Sequence, residues 1–354
     1  MDRCRQQARI NAEVEMSMKR VANDDFITPV MQQLALFDSS HGQPNWAQTG
    51  FTSREMHTNY AGVMELLCRL GCTCAPTGPK PSSAQLADAR LLVIPPPTGC
   101  YNAVRECWAA KPEFLLTAEN ISRVLSFVQD GGRLLAFAYR FGDSFTHSNL
   151  RELISPLGCL LNDDAVIDLQ SLRNTNPLEA FFDTPRHLLP LPWSRDGVTT
   201  VRWRTLATFS ILPEANVRPL ALSAGGTCIS FNRSLRRISF ASLPIAVAGA
   251  RGRGRFALFG GPHAFENGTF GLLASHDNAR FLQNVLRWLL DDGPVNLGVE
   301  ATSHRSDVSF FFNNGLEVIR DENANGAQHT IAYVERLLHR TGVLKALGRA
   351  RWMP

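Results

Sequence analysis

Leu34–Trp46 reads LALFDSSHGQPNW: an apolar run that ends in an acid, two serines, a histidine and a glycine. A helical pattern follows, with Tyr60, Val63, Met64, Leu67 and Leu70 recurring at helical spacing until Gly71 stops it. An apolar strand that delivers polar groups to its carboxyl end, followed by a helix, opens an open α/β sheet, whose sites lie at that edge. The pattern predicts the strand over Gln33–Phe37, and Thr52 with Glu55 as a capping box for the helix.

Outward from this unit the same rhythm repeats. Cys72–Pro76 reads as a second strand, and Ala84–Ala87 as a helical turn. Arg90–Ile94 is a fully buried third strand that runs into Pro95, Pro96 and Pro97. Thr117 can cap a helix carrying Ile121, Val124, Leu125 and Val128, closed by Gly131 and Gly132, before a fourth strand at Arg133–Ala138. Such strand–helix–strand repeats call for a right-handed parallel sheet with helices on both faces, here flavodoxin-like.

From Asn149 the rhythm changes: a short helix to Leu157, a strand from Cys159, and a Pro- and Arg-rich stretch over Asn174–Arg204. Shorter β-type runs follow at Ala221–Ser223, Cys228–Phe231 and Ile238–Ala241. Ile245–Ala248 and Phe256–Phe259, joined by AGARGRGR, read as a hairpin that returns a strand to the main sheet. Phe281, Leu282, Val285, Trp288 and Leu289 share one face of a late helix, and Thr330–Leu347 carries another helical pattern. The expected organisation is a helical leader over 1–30, an α/β domain over 31–292 with a variable insertion at 160–235, and a helical extension over 293–354.

A chain of 354 residues with 44% hydrophobic and 19% charged residues is ordinary for a globular protein, and a net charge of +4 exerts no strong pull on nucleic acid or anionic membrane. No apolar run reaches the length of a membrane span, and the N-terminus lacks the apolar core of a secretory signal. The expected location is the cytoplasm. Most of the eight cysteines lie in or beside apolar runs, as small buried residues of a reducing compartment do. Cys72 and Cys74 form a C-x-C with no second pair and no histidine at ligand spacing, so no metal site is expected, and nothing implies a cofactor. The glycines around Arg251, Arg253 and Arg255 suit a turn. Strand alternation would put these arginines on one solvated face, so nucleic acid is not the expected partner.

The polar residues at the expected carboxyl edge form the candidate site. Asp38, Ser40, His41, Gly42 and Asn45 follow the first strand, Thr98 the third, and Tyr139 and Arg140 the fourth. Gly261, His263 and Asn267 follow the late strand. One reading is a small-molecule crevice in which Asp38 and His41 make polar contacts or an acid–base pair and Arg140 holds a carboxylate or phosphate. The alternative is local structure: Ser39, Ser40 and Asp38 capping the loop, His41 bonded to backbone, and Arg140 paired with Asp143. Cys100, in PPPTGCYN, is the one cysteine on a strand-edge loop. With His41 or His263 as base it would make a hydrolase or transferase; otherwise it is a structural or merely exposed thiol.

LFDSSHGQPNW, RGRGRFALFGGPHAFEN and DNARFLQNVLRWLL, in this order and spacing, resemble the class I glutamine-amidotransferase-like domain. The narrower resemblance is to its GIFT branch, found at the start of an intraflagellar-transport subunit and in gliding-motility and ABC-transporter accessory proteins. It covers about Leu34 to Asp292, with gaps over 160–235. The resemblance implies a flavodoxin-like sheet and a binding or scaffolding role in place of catalysis. Catalytic members place a cysteine in a tight G-x-C-x-G turn after a strand. Here that strand reads LLAFAYRFG, with Ala138 near the first glycine, Gly142 near the second and Arg140 at the nucleophile's place, and no His-x-Glu dyad follows. The expectation is a ligand-binding or protein-interaction component without glutaminase activity, its partner a small molecule or a protein. Self-association through the leader and tail stays open.

Overall fold

The computed structural model describes residues 33–39, 60–77, 82–96, 100–102, 107–109, 115–168, 179–183, 187–188, 194, 196–223, 228–232, 237–239, 242–267, 271–295, 297, 308–313 and 316–321. The first half runs β1 (Gln33–Phe37), α1 (Ala61–Arg69), β2 (Cys72–Pro76), α2 (Ser83–Asp88), β3 (Ala89–Ile94), β4 (Cys100–Asn102), β5 (Cys107–Ala109), α3 (Ala118–Gln129) and β6 (Arg133–Phe137). Next come α4 (Gly142–Thr146), α5 (Leu150–Ile154), β7 (Cys159–Leu161), β8 (Asp164–Asp168), β9 (Glu179–Asp183), β10 (Thr200–Arg204), β11 (Phe209–Ile211) and β12 (Val217–Leu222). The rest is β13 (Cys228–Asn232), β14 (Arg237–Ser239), β15 (Pro244–Arg251), β16 (Gly254–Phe259), α6 (Asn278–Leu290), β17 (Val308–Asn313) and β18 (Leu316–Asp321).

The central sheet has the order β12-β15-β16-β6-β3-β1-β2. Its strands from β16 to β2 are parallel; β15 runs against them, and β12 pairs antiparallel with β15 at the edge. The first strand lies inside, between the second and third, which is the flavodoxin-like order with its switch point between β1 and β3. Side chains alternate faces along each strand. Ala35, Phe37, Val93, Leu135, Phe137 and Phe259 meet α1 and α6 on one side. Leu36, Leu92, Ile94, Leu134, Ala136 and Leu258 meet α3 and α5 on the other. A parallel sheet covered on both faces must be apolar on both, which is why LALF, RLLVI and RLLAF carry so few polar residues.

The sequence shows Asn174–Arg204 only as a Pro- and Arg-rich stretch, yet β9 and β10 pair there antiparallel. TVRWR alternates. Val201 and Trp203 turn inward into the α1–α6 side of the core, while Arg202 and Arg204 both clamp Glu179. Burial works against ionisation of Glu179, and the Arg204 and Arg202 guanidiniums outweigh it, holding the carboxyl below the usual range. Since β12 also joins the central sheet as its edge, the 160–235 segment is built into the main body.

Two expectations fail. Arg255 does not share a solvated face: it is 1% exposed. Its Nη1 donates to the Trp288 carbonyl at 2.5 Å and its Nη2 to that of Gly293, where the end of α6 leaves carbonyls without helical partners. Nor is the C-terminal extension helical where it is described. β17 and β18 form a hairpin, and β18 adds to the sheet β17-β18-β14-β13-β8. VSFFFN and LEVIRD are aromatic and β-branched runs either side of an Asn-Gly, a hairpin signal. The leader, the Thr52–Glu55 capping box and the Thr330–Leu347 pattern lie outside the described residues. No helix among the described residues is long and apolar enough to cross a membrane.

Candidate functional site

Parallel strands bring their carboxyl ends to one edge. There Asp38 follows β1, Tyr139 and Arg140 follow β6, and Gly261, His263 and Asn267 follow β16. Asp38 is buried among backbone and loop groups. Its N–H donates to the Val93 carbonyl at 2.8 Å, and the Thr77 hydroxyl lies 3.5 Å from its Oδ1. Thr77 Oγ1 in turn accepts from the Ser39 N–H at 3.3 Å. Asp38 thus ties the ends of β1, β2 and β3 together. Ser40, His41, Gly42, Asn45 and Thr98 lie outside the described residues, and only the backbone of Cys100, in β4, is described.

The structure brings together a group that the sequence reading only half contained. His263 Nδ1 is bonded to Glu266 Oε2, Tyr139 Oη lies 3.3 Å from His263 Nε2, and Tyr60 Oη donates to Glu266 Oε1 at 3.2 Å. His263 and Glu266 are each 1% exposed, and both tyrosines are buried. A carboxylate on Nδ1 holds the ring proton there and leaves Nε2 as the acceptor for the Tyr139 hydroxyl. Burial raises the Glu266 carboxyl above its ordinary range against the opposing pull of His263. Burial, then the nearby Glu266 charge, raises Tyr60 well above the usual phenol value. Glu266 escapes a His-x-Glu pattern because its spacing in HAFE is one residue longer. In the sequence Tyr60 is one member of the helical repeat that ends at Leu70.

This chain has the polarity of a hydroxyl, a base and an orienting acid. The hydroxyl, however, is a buried phenol stacked on Phe145 with ring centroids 5.7 Å apart. The turn after β6 offers no replacement. Its left-handed residues are Phe141 (φ 59°), which is buried, and Gly142 (φ 48°), and neither they nor Arg140 carry a nucleophilic group. Burial pushes the thiols of Cys72, Cys74 and Cys159 up to about 11, 12 and 12, away from the thiolate.

Arg140 does not pair with Asp143. The Asp143 carboxylate instead caps the following helix, accepting from Leu150 N and Arg151 N at 2.9 Å each and from the Ser148 hydroxyl at 2.7 Å. The Arg140 guanidinium lies 4.9 Å from the Phe145 ring centroid, its Nε has no hydrogen-bond partner, and no carboxylate pairs with it among the described residues.

The remaining candidates are architectural. The Gly261 carbonyl accepts from Trp203 Nε1 at 3.0 Å, and a Cβ there would stand 2.7 Å from the Thr205 carbonyl oxygen. Asn267 Oδ1 accepts from Gly62 N at 2.7 Å, seating the start of α1. A Cβ on Gly62 would stand 2.2 Å from Leu273 Cδ2, so a larger residue would force that side chain to shift.

No protein-family model matches the chain, and no curated protein matches it. Among solved structures, the mmIFT52 N-terminal domain is similar at 19% identity and a TM-score of 0.54, over 74% of this chain and 100% of that one. A putative ThuA-like protein from Bacteroides uniformis ATCC 8492 matches at 10% identity and a TM-score of 0.43, over 75% and 94%. Cytoplasmic protein STM3548 from Salmonella typhimurium matches at 14% and 0.43, over 73% and 98%. At these identities the first likeness is one of fold alone.

Proposed function

We propose that the chain is a non-catalytic, amidotransferase-like binding component. Its carboxyl-edge crevice receives a small acid-bearing ligand, with Arg140 as the anchor. The observation that carries this reading is Arg140 itself, a half-buried residue whose guanidinium lies 4.9 Å from the Phe145 ring centroid at the sheet edge where such folds keep their sites. A planar guanidinium fork suits a carboxylate or a phosphate bound through two parallel hydrogen bonds. The resemblance of the three motifs to the GIFT branch implies a binding role.

Two features support the absence of glutaminase chemistry. Arg140, Phe141 and Gly142, in the turn after β6, offer no nucleophilic group, and His263 has both ring nitrogens engaged and is closed to solvent. Ammonia release from glutamine tests this. Wild type and His263→Asn are expected to give the same background rate. Turnover by wild type that is lost in a folded His263→Asn or Cys100→Ser variant would instead establish the hydrolase or transferase built on His41, His263 and Cys100.

A further inference from the structure

We propose that the cleft at the opposite, amino-terminal edge of the central sheet binds a small molecule carrying several phosphate groups. Arg123 and Arg253 would grip it over a floor set by Arg90 and Arg133. The cleft lies between α2, α3 and the β15–β16 turn and encloses about 780 Å³, the size of a small-ligand site. Four guanidiniums line it against two carboxylates, Asp130 and Asp292. Asp292 is shared: Arg90 pairs with it, and Arg133 Nη2 lies 3.8 Å from the same oxygen.

The floor cannot swing away. Arg133 is buried, and its two Nη atoms donate to the carbonyls of Gly131 at 2.8 Å, Arg253 at 3.1 Å and Asp291 at 3.2 Å. Burial first, and then the charges of Arg90 and Arg255, depress its pKa to about 10, so the local field is still one that an anion would relieve. The upper arginines are positioned to exchange partners. Arg253 is exposed on the hairpin turn, with no carboxylate partner among the described residues. Arg123 pairs with Glu119, which is 71% exposed, and a pair in that setting gives way readily to a doubly charged phosphate. The inference is independent of the carboxyl-edge reading, because the two sites lie at opposite ends of the strands.

Calorimetric titration of the full chain with tripolyphosphate at about 0.15 M salt tests it. Saturable binding is expected, weakened by about tenfold or more in the Arg123→Ser/Arg253→Ser double variant. The thermal midpoint of that variant without ligand should match wild type, since both side chains end near solvent. Arg140→Ala is expected to keep the saturable binding that depends on Arg123 and Arg253. Absence of saturable binding, equal binding by the double variant, or a loss confined to Arg140→Ala would each overturn the assignment.

Discussion

Replacing Trp203 by alanine is expected to lower folding stability by about 4 kcal/mol and the melting midpoint by about 10 °C. Trp203 is 0% exposed, and its ring sits 5.3 Å from Phe265, 5.6 Å from Phe259 and 6.1 Å from Phe281, centroid to centroid. It comes from β10, inside a segment that the motif pattern leaves blank, yet it fills the space between β16 and α6. Truncation would open a cavity there and leave the Gly261 carbonyl without its indole donor. Urea unfolding gives the cost. One cooperative transition shifted by that amount means that the segment and the sheet share a core. A second transition, or a loss under about 1 kcal/mol, would mean that the segment folds as its own lobe.

Glu266→Ala is expected to cost about 3 kcal/mol, because it strands the buried His263 Nδ1 and Tyr60 hydroxyl together. Glu266→Gln keeps an acceptor for Tyr60 and is expected to cost about 1 kcal/mol. In a double-mutant cycle with His263→Ala, the two losses should fall short of additivity by about 1 kcal/mol or more. The pH dependence has a definite sign. The folded carboxyl is raised, so the stability it contributes is complete below the ordinary carboxylate range and is lost as pH rises through the folded value. Glu266→Gln should remove that slope above the ordinary carboxylate range. A slope unchanged in Glu266→Gln would mean that Glu266 is not the group responsible.

The central sheet is legible in the sequence because burial on both faces leaves a chemical trace. Runs such as LALF and RLLAF admit few other placements, and the glycines after α1 and α3 mark where helices stop. The edge placement of Tyr139, Arg140 and His263 follows from the same strands. Partners set by long-range packing leave no such trace. Asp143 looks like a neighbour for Arg140, but it is drawn to the free N–H groups of Leu150 and Arg151. Arg255 sits in an apparently solvated Arg-Gly turn, and only the arrival of α6, some thirty residues on, buries it. The Tyr60–Glu266 bond joins positions 206 apart in the chain, and only the assembled sheet brings them within reach.

The measurement that bears most directly on the binding role is native mass spectrometry of the purified chain, with a denatured sample as control. A reproducible extra mass is expected, lost on denaturation and lost again in Arg140→Ala under native conditions. A bare chain mass in wild type would contradict the account. So would an extra mass that survives Arg140→Ala but disappears in Arg123→Ser/Arg253→Ser, since that would leave the carboxyl-edge crevice without a ligand.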